Sequence, residues 1–149
     1  MNDAPFASEP TPDERTMATL AEVLQLVGSW IAPLIIFLIK RDSLFVRFHA
    51  LQALLLQGVY AIFAAVFMAL WFSAFVLTMF HAQAHSSAPP PFFFILFPVI
   101  WLGFMGMWVL MLVFAIVYGI KASRGEWASY PVLGSLARRF LKMNNTPTI

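Results

Sequence analysis

The chain has 149 residues, of which 61% are hydrophobic and 11% charged, with a net charge of +2. Soluble domains carry about 25% charged residues, so an ordinary soluble domain is excluded, and the length leaves room for one small helical bundle. The absence of cysteine excludes disulfides, thiolate metal sites and thiol chemistry.

In chain order, the first element is a polar, proline-containing segment over residues 1–19, carrying Asp3, Glu9, Asp13 and Glu14 against Arg15. It reads as a disordered acidic tail. It lacks the basic start of a secretory signal, so the apolar stretch behind it is expected to be retained. That stretch, Leu20–Ile39, has the ~20 residues a helix needs to cross a bilayer and is the first of three expected spans. Glu22, Gln25 and Ser29 make a short polar stripe near its outer end, where they read as solvated rather than as an ion path.

The first break carries Lys40, Arg41 and Arg47 against Asp42. The second stretch, Phe48–Phe80, would be ~50 Å long as a helix against a hydrocarbon core of ~30 Å. Residues Phe48–Gln57 are therefore expected at the interface, with a bend near Gly58 and a span over 58–80. Asp42, His49, Gln52 and Gln57 share one broad helical face. Gly58, Ala61, Ala65, Ala69 and Ser73 stack as a stripe of small residues, which packs helices within the chain or, alternatively, between copies. His49 reads as a histidine that donates to a carbonyl or carboxylate and fixes a helix end, with proton sensing as the competing reading. Its expected partners are Asp42 and Glu126. Glu22 is not expected, because ~27 Å of helix would separate it from Lys40.

The second break, His81–Pro91, has no Lys or Arg. His81 and His85 have a spacing that suits two metal ligands, but the loop offers no carboxylate or thiol to complete a site. No metal and no cofactor is expected. Pro89, Pro90 and Pro91 should stiffen this loop. In the third stretch, Phe92–Ile120, Pro98 is expected to set apart a cleaner span over 99–120, with Gly103, Gly106, Ala115 and Gly119 as small packing positions. Lys121, Arg124, Arg138, Arg139 and Lys142 follow, opposed by Glu126. The positive-inside rule then puts the first break and the C-terminus in the cytoplasm, and the N-terminus outside. Over residues 132–143, Leu133, Leu136, Ala137 and Phe140 lie opposite Ser135, Arg138, Arg139 and Lys142, after a first-turn Pro131. This cationic amphipathic helix either lies on the anionic leaflet or packs back on the bundle. The expected class is an all-α integral membrane protein with three transmembrane helices plus interfacial amphipathic helices. Its parts are a tail over 1–19, a membrane domain over 20–131 and a C-terminal segment over 132–149.

Two segments carry a resemblance. Phe45-Val46-Arg47-Phe48-His49-Ala50-Leu51-Gln52-Ala53-Leu54, taken with Ile120-Lys121-Ala122-Ser123-Arg124-Gly125-Glu126 and Tyr130-Pro131, resembles the prokaryotic relatives of the twenty-kilodalton Tic protein of chloroplast import. Some of those relatives are magnetosome-membrane proteins linked to crystal growth. The resemblance singles out His49, Gln52, Lys121, Gly125, Glu126 and Pro131. With Arg47 these make an expected cytoplasmic collar, in which Arg47–Gln52 packs on Lys121–Pro131, Glu126 serves Arg47 or His49, and Gly125 allows a turn. The chain shows no nucleophile–base pair, phosphate loop or carboxylate dyad, so no enzyme is expected. Its basic residues flank the spans, which does not suit nucleic acid. The expected function is a scaffold or an assembly or translocation component acting through membrane-protein partners or a homo-oligomer. The alternative is a small oligomeric channel or transporter.

Overall fold

The structure, a computed structural model, describes residues 9–85 and 91–143. Residues 1–8 of the acidic tail, the serines Ser86 and Ser87, and Pro89 and Pro90 lie outside the described residues. Five α-helices account for the rest: α1 Pro12–Gly28, α2 Ile31–Ile39, α3 Leu44–His85, α4 Pro91–Ser123 and α5 Leu133–Phe140. There is no strand among the described residues.

Two of these helices, over Leu44–Ala84 and Phe94–Ser123, are long and apolar enough to cross a membrane. The expected first span is not a third. Helix α1 begins inside the supposed tail, because Thr11-Pro12-Asp13-Glu14 forms a capping box: the Thr11 hydroxyl accepts from the Glu14 N–H, and the Glu14 carboxylate accepts from the Thr11 N–H at 2.8 Å. Proline in the first turn removes a donor that would have been orphaned anyway. The helix then stops at Gly28, where Ser29 takes a positive φ of 50°. A side chain at position 28 would place its Cβ 2.8 Å from that of Ala32, so the tight reversal needs glycine.

Helix α2 runs back antiparallel to α1. Lys40 Nζ, just past the end of α2, meets Asp13 Oδ2 at the start of α1 at 2.6 Å, and the Ser43 hydroxyl donates to Glu14 Oε1 at 2.6 Å. The start of α1 and the end of α2 therefore share one end of the hairpin. The expectation that the chain's polar N-terminal residues and Lys40 lie on opposite sides of a span is overturned here.

The hydrogen bond from Ser43, then that from the Thr11 N–H, pulls the Glu14 carboxyl below its ordinary value. A depressed folded pKa contributes stability above the unfolded value that is lost as pH falls through the folded one. Amide exchange in the first turns of α1, corrected for intrinsic rates, should therefore rise below about pH 4.5. The rise should be blunted in Ser43→Ala, and equal profiles in the two proteins would remove this link.

The chain divides into two compact units, Met1–Gly58 with Met111–Ile149, and Val59–Leu110. In the second unit, α3 and α4 meet through aromatic rings: Tyr60 and Phe67 against Phe104 at 5.5 and 6.1 Å, and Trp71 against Phe97 at 6.4 Å. An apolar cavity of about 320 Å³ lies among Phe67, Trp71, Phe97 and Phe104. The small-residue stripe is not at this contact. Gly58, Ala61, Ala65, Ala69 and Ser73 are all exposed, and a Cβ at Gly58 would meet nothing within 4 Å. The helix is 42 residues long, ~63 Å, and shows no break at Gly58. Helix α4 likewise continues through Pro98.

In the first unit, one face of residues 45–57 of α3 is packed in protein. Phe48, His49, Ala50, Gln52 and Ala53 are fully buried. Trp127 inserts edge-on against Phe45 at 5.1 Å and lies 5.7 Å from Phe48. Helix α5 starts at Leu133, two residues after Pro131, and seats Ala137 against Phe48 and Met143. Of the two placements open for this helix, packing back on the bundle is the one seen, although Leu136 and Phe140 remain exposed.

Candidate functional site

Three segments bring their polar groups to one buried centre in the first unit. Helix α1 supplies Glu22 and Gln25, α3 supplies His49, Gln52 and Gln57, and the loop behind α4 supplies Tyr130 and the carbonyls of Glu126 and Ala128. Glu22, His49 and Gln52 are fully buried, Gln25 is 1% exposed and Tyr130 2% exposed. In a chain whose other buried side chains are mostly apolar, this concentration is the main departure from a plain helical bundle.

The geometry fixes the proton inventory. His49 Nε2 lies 3.1 Å from the backbone carbonyl of Glu126, which can only accept, so Nε2 carries a hydrogen. His49 Nδ1 lies 3.0 Å from Glu22 Oε1. One proton serves that contact, whether it rests on the imidazole or on the carboxyl, and the pair is neutral as a unit. The other Glu22 oxygen accepts a hydrogen bond from the Tyr130 hydroxyl. Burial, and next the neighbouring Glu22 carboxylate, hold the Tyr130 phenol far above its ordinary range, so it stays a donor.

The remaining contacts extend this core. Gln25 Nε2 donates to the Glu22 carbonyl at 2.8 Å, and Gln57 Nε2 donates to the Gln25 carbonyl at 2.9 Å. Gln52 acts as a two-ended clasp. Its Nε2 donates to the Ala128 carbonyl at 3.1 Å, and its Oε1 accepts from the Tyr130 N–H at 2.6 Å. A glutamine side chain thereby gives the loop the donor and acceptor that a neighbouring strand would have offered. Gln25 Oε1 is buried without a donor.

The loop owes its shape to the end of α4. Glu126 N–H donates to the Lys121 carbonyl at 3.0 Å and Gly125 N–H to the Ala122 carbonyl at 2.9 Å, a Schellman closure with glycine in the left-handed position. Gly125 has φ 78°, and a Cβ there would lie 2.9 Å from Arg15 Nε. Gly125→Ala should therefore destabilise by about 1–2 kcal/mol, read as a lower midpoint of reversible unfolding in detergent. An unchanged midpoint would mean the turn is not under this constraint.

Of the residues singled out from the sequence, His49, Gln52 and Gly125 stand where the loop is built. Glu126 is present through its carbonyl, while its side chain is exposed. The expected pairing of its carboxylate with Arg47 or His49 is not what forms: the carboxylate on His49 is Glu22. Arg47 instead lies over the Phe37 ring at 5.1 Å, and Lys121 over the Tyr118 ring at 5.7 Å. Pro131 is exposed at the edge. Glu22, Gln25 and Tyr130 were missed as members. For Glu22 and Gln25 the signal is two polar residues, three apart, inside an apolar run.

Among the described residues, no group of three or more His, Asp and Glu side chains could hold a metal ion. Two side chains of the centre, His49 and Gln52, end on backbone carbonyls of the loop, those of Glu126 and Ala128. The centre holds helix α1, helix α3 and the 124–132 loop in one arrangement.

Residues 13–137 match the sequence model of the magnetosome magnetite crystal formation protein family. No curated protein and no solved structure matches the chain. Of the two branches of the resemblance drawn from the sequence, the match falls on the magnetosome one, and nothing ties the chain to the chloroplast import component.

Proposed function

We propose a function from one premise: the chain belongs to the magnetosome magnetite crystal formation protein family. On that premise it is a membrane protein serving magnetite crystal formation, and it works as a non-enzymatic scaffold, through contacts with other membrane proteins or with its own copies. The observation that carries this reading is the inward pairing of the polar centre. Its side chains hydrogen-bond between helices and to the loop, Gln25 Oε1 excepted, and what the helices present outward is largely apolar. A protein with this distribution acts by occupying and organising a membrane.

The charge distribution supports a side for the collar. All nine Lys and Arg residues of the chain fall in the first unit, and none lies between Phe48 and Ile120. By the positive-inside rule that end faces the cytoplasm.

The test is genetic and biochemical together. In a magnetite-forming bacterium, removal of the protein should change crystal size or number by electron microscopy, and the full chain should restore them. Gentle extraction followed by native mass spectrometry should give a discrete hetero- or homo-complex. Unchanged crystals would remove the magnetite role, and a lone monomer would remove the scaffold role.

A further inference from the structure

The first apolar stretch satisfies every length criterion for a span, yet it folds as a hairpin. Its two feet are tied at one end by Lys40 to Asp13 and Ser43 to Glu14, each at 2.6 Å. Beyond the polar first turns of α1, its apolar part runs for nine residues, Leu20 to Gly28, and the chain returns over the nine of α2. At 1.5 Å per residue the apolar part of each arm spans ~14 Å, about half of the ~30 Å hydrocarbon core.

The sidedness of the hairpin reverses that of a water-soluble one. Glu22 and Gln25 are turned inward, to His49 and Tyr130, and are buried. Apart from Ser29 at the tip, every exposed residue from Leu20 to Ile39 is apolar, with Val27 at 90%, Trp30 at 55% and Ile39 at 69% exposure. Exposing such a surface to water would be costly, whereas hydrocarbon needs no polar partner. Lys40 and Arg41 at the foot complete the pattern of basic residues at a membrane surface.

We propose that α1 and α2 form a re-entrant hairpin that enters one leaflet and returns from it, with the acyl chains of that single leaflet as the partner of its outward face. The start of α1 then lies on the same side of the membrane as Lys40 and as the 124–143 region, and α3 and α4 are the crossing helices. The inference rests on the membrane placement stated above, but not on the scaffold role.

The chain has no cysteine, so single substitutions report their positions directly. Thr16→Cys in α1, Trp30→Cys at the tip, Gln83→Cys near the end of α3 and Ser135→Cys in α5 would be placed in the full-length protein. Each would be challenged with a membrane-impermeant maleimide in inside-out and in right-side-out vesicles. Positions 16 and 135 should label from one side and position 83 from the other. Position 30 should resist labelling from both sides, and a fluorophore installed there after solubilisation should be quenched by lipids carrying nitroxide deep in the chain. Labelling of position 16 from the side of position 83 would make the stretch a crossing span and overturn the hairpin. Labelling of position 30 from either side would overturn its burial in the leaflet. Release of the protein by alkaline carbonate would instead overturn the membrane placement itself.

Discussion

Replacing Glu22 by alanine is expected to cost about 3–5 kcal/mol of stability, enough to consume much of what a small domain has. The substitution leaves His49, fully buried, with a hydrogen on Nε2 committed to the Glu126 carbonyl and nothing opposite Nδ1. It also strips the acceptor from the Tyr130 hydroxyl. His49→Ala should cost a similar amount, by leaving a buried carboxyl with only Tyr130 and Gln25 to support it. The distinctive expectation is for the pair. Once one partner is gone the second has little left to lose, so Glu22→Ala with His49→Ala should cost far less than the sum of the two. Tyr130→Phe should fall lower, at about 1.5–3 kcal/mol for a hydrogen bond to a charged or proton-sharing group. Reversible unfolding in detergent, run as a double-mutant cycle, measures all of these. Additive losses would show that Glu22 and His49 act through separate contacts and that the centre is not one unit.

The second large effect is expected at Gln52. Leucine has nearly the same volume, so Gln52→Leu keeps the packing against the loop and removes only the clasp. The Tyr130 N–H and Ala128 carbonyl are then left without partners. At about 1–3 kcal/mol for each buried group, and with Ala128 only part-buried, the loss should be about 2–4 kcal/mol. Because the clasp acts on the loop itself, a local readout is sharper than the global midpoint. Limited proteolysis after Arg124 should accelerate by about tenfold or more, since 1.4 kcal/mol is a factor of ten in the opening equilibrium. Equal cleavage in the parent and the variant would show that the Schellman turn and Trp127 hold the loop without Gln52.

These two sites differ in how visible they were beforehand. Gln52 and Gly125 stood out in the sequence as parts of short segments, and the expected meeting of residues 47–52 with 121–131 is the contact that forms. Glu22 was set aside. The reason lies in the assumption of a straight helix from Leu20 to Ile39, which would carry Glu22 ~27 Å away from Lys40. The reversal at Ser29 brings that end of the chain back, and 27 residues of sequence separate Glu22 from His49. The capping box at Thr11 was legible and went unread, because the acidic composition of the tail pointed to disorder.

Hydropathy and charge by themselves determined that the chain is helical and belongs in a membrane, with its basic residues gathered near the first break and the C-terminal region. Those properties are sums over residues, and they do not depend on which side chain meets which. The tertiary structure alone decided that, among the described residues, two helices and not three are long and apolar enough to cross, that His49 takes Glu22, and that α3 meets α4 through aromatic rings rather than its small-residue stripe. An apolar run of ~20 residues has the same summed side-chain hydropathy whether it continues straight or turns back, so hydropathy does not separate the two. What separates the two outcomes is a positive φ at one serine, a glycine against Ala32, and ion-pair and hydrogen-bond partners tens of residues apart. Periodicity within a window carries no information about partners outside it.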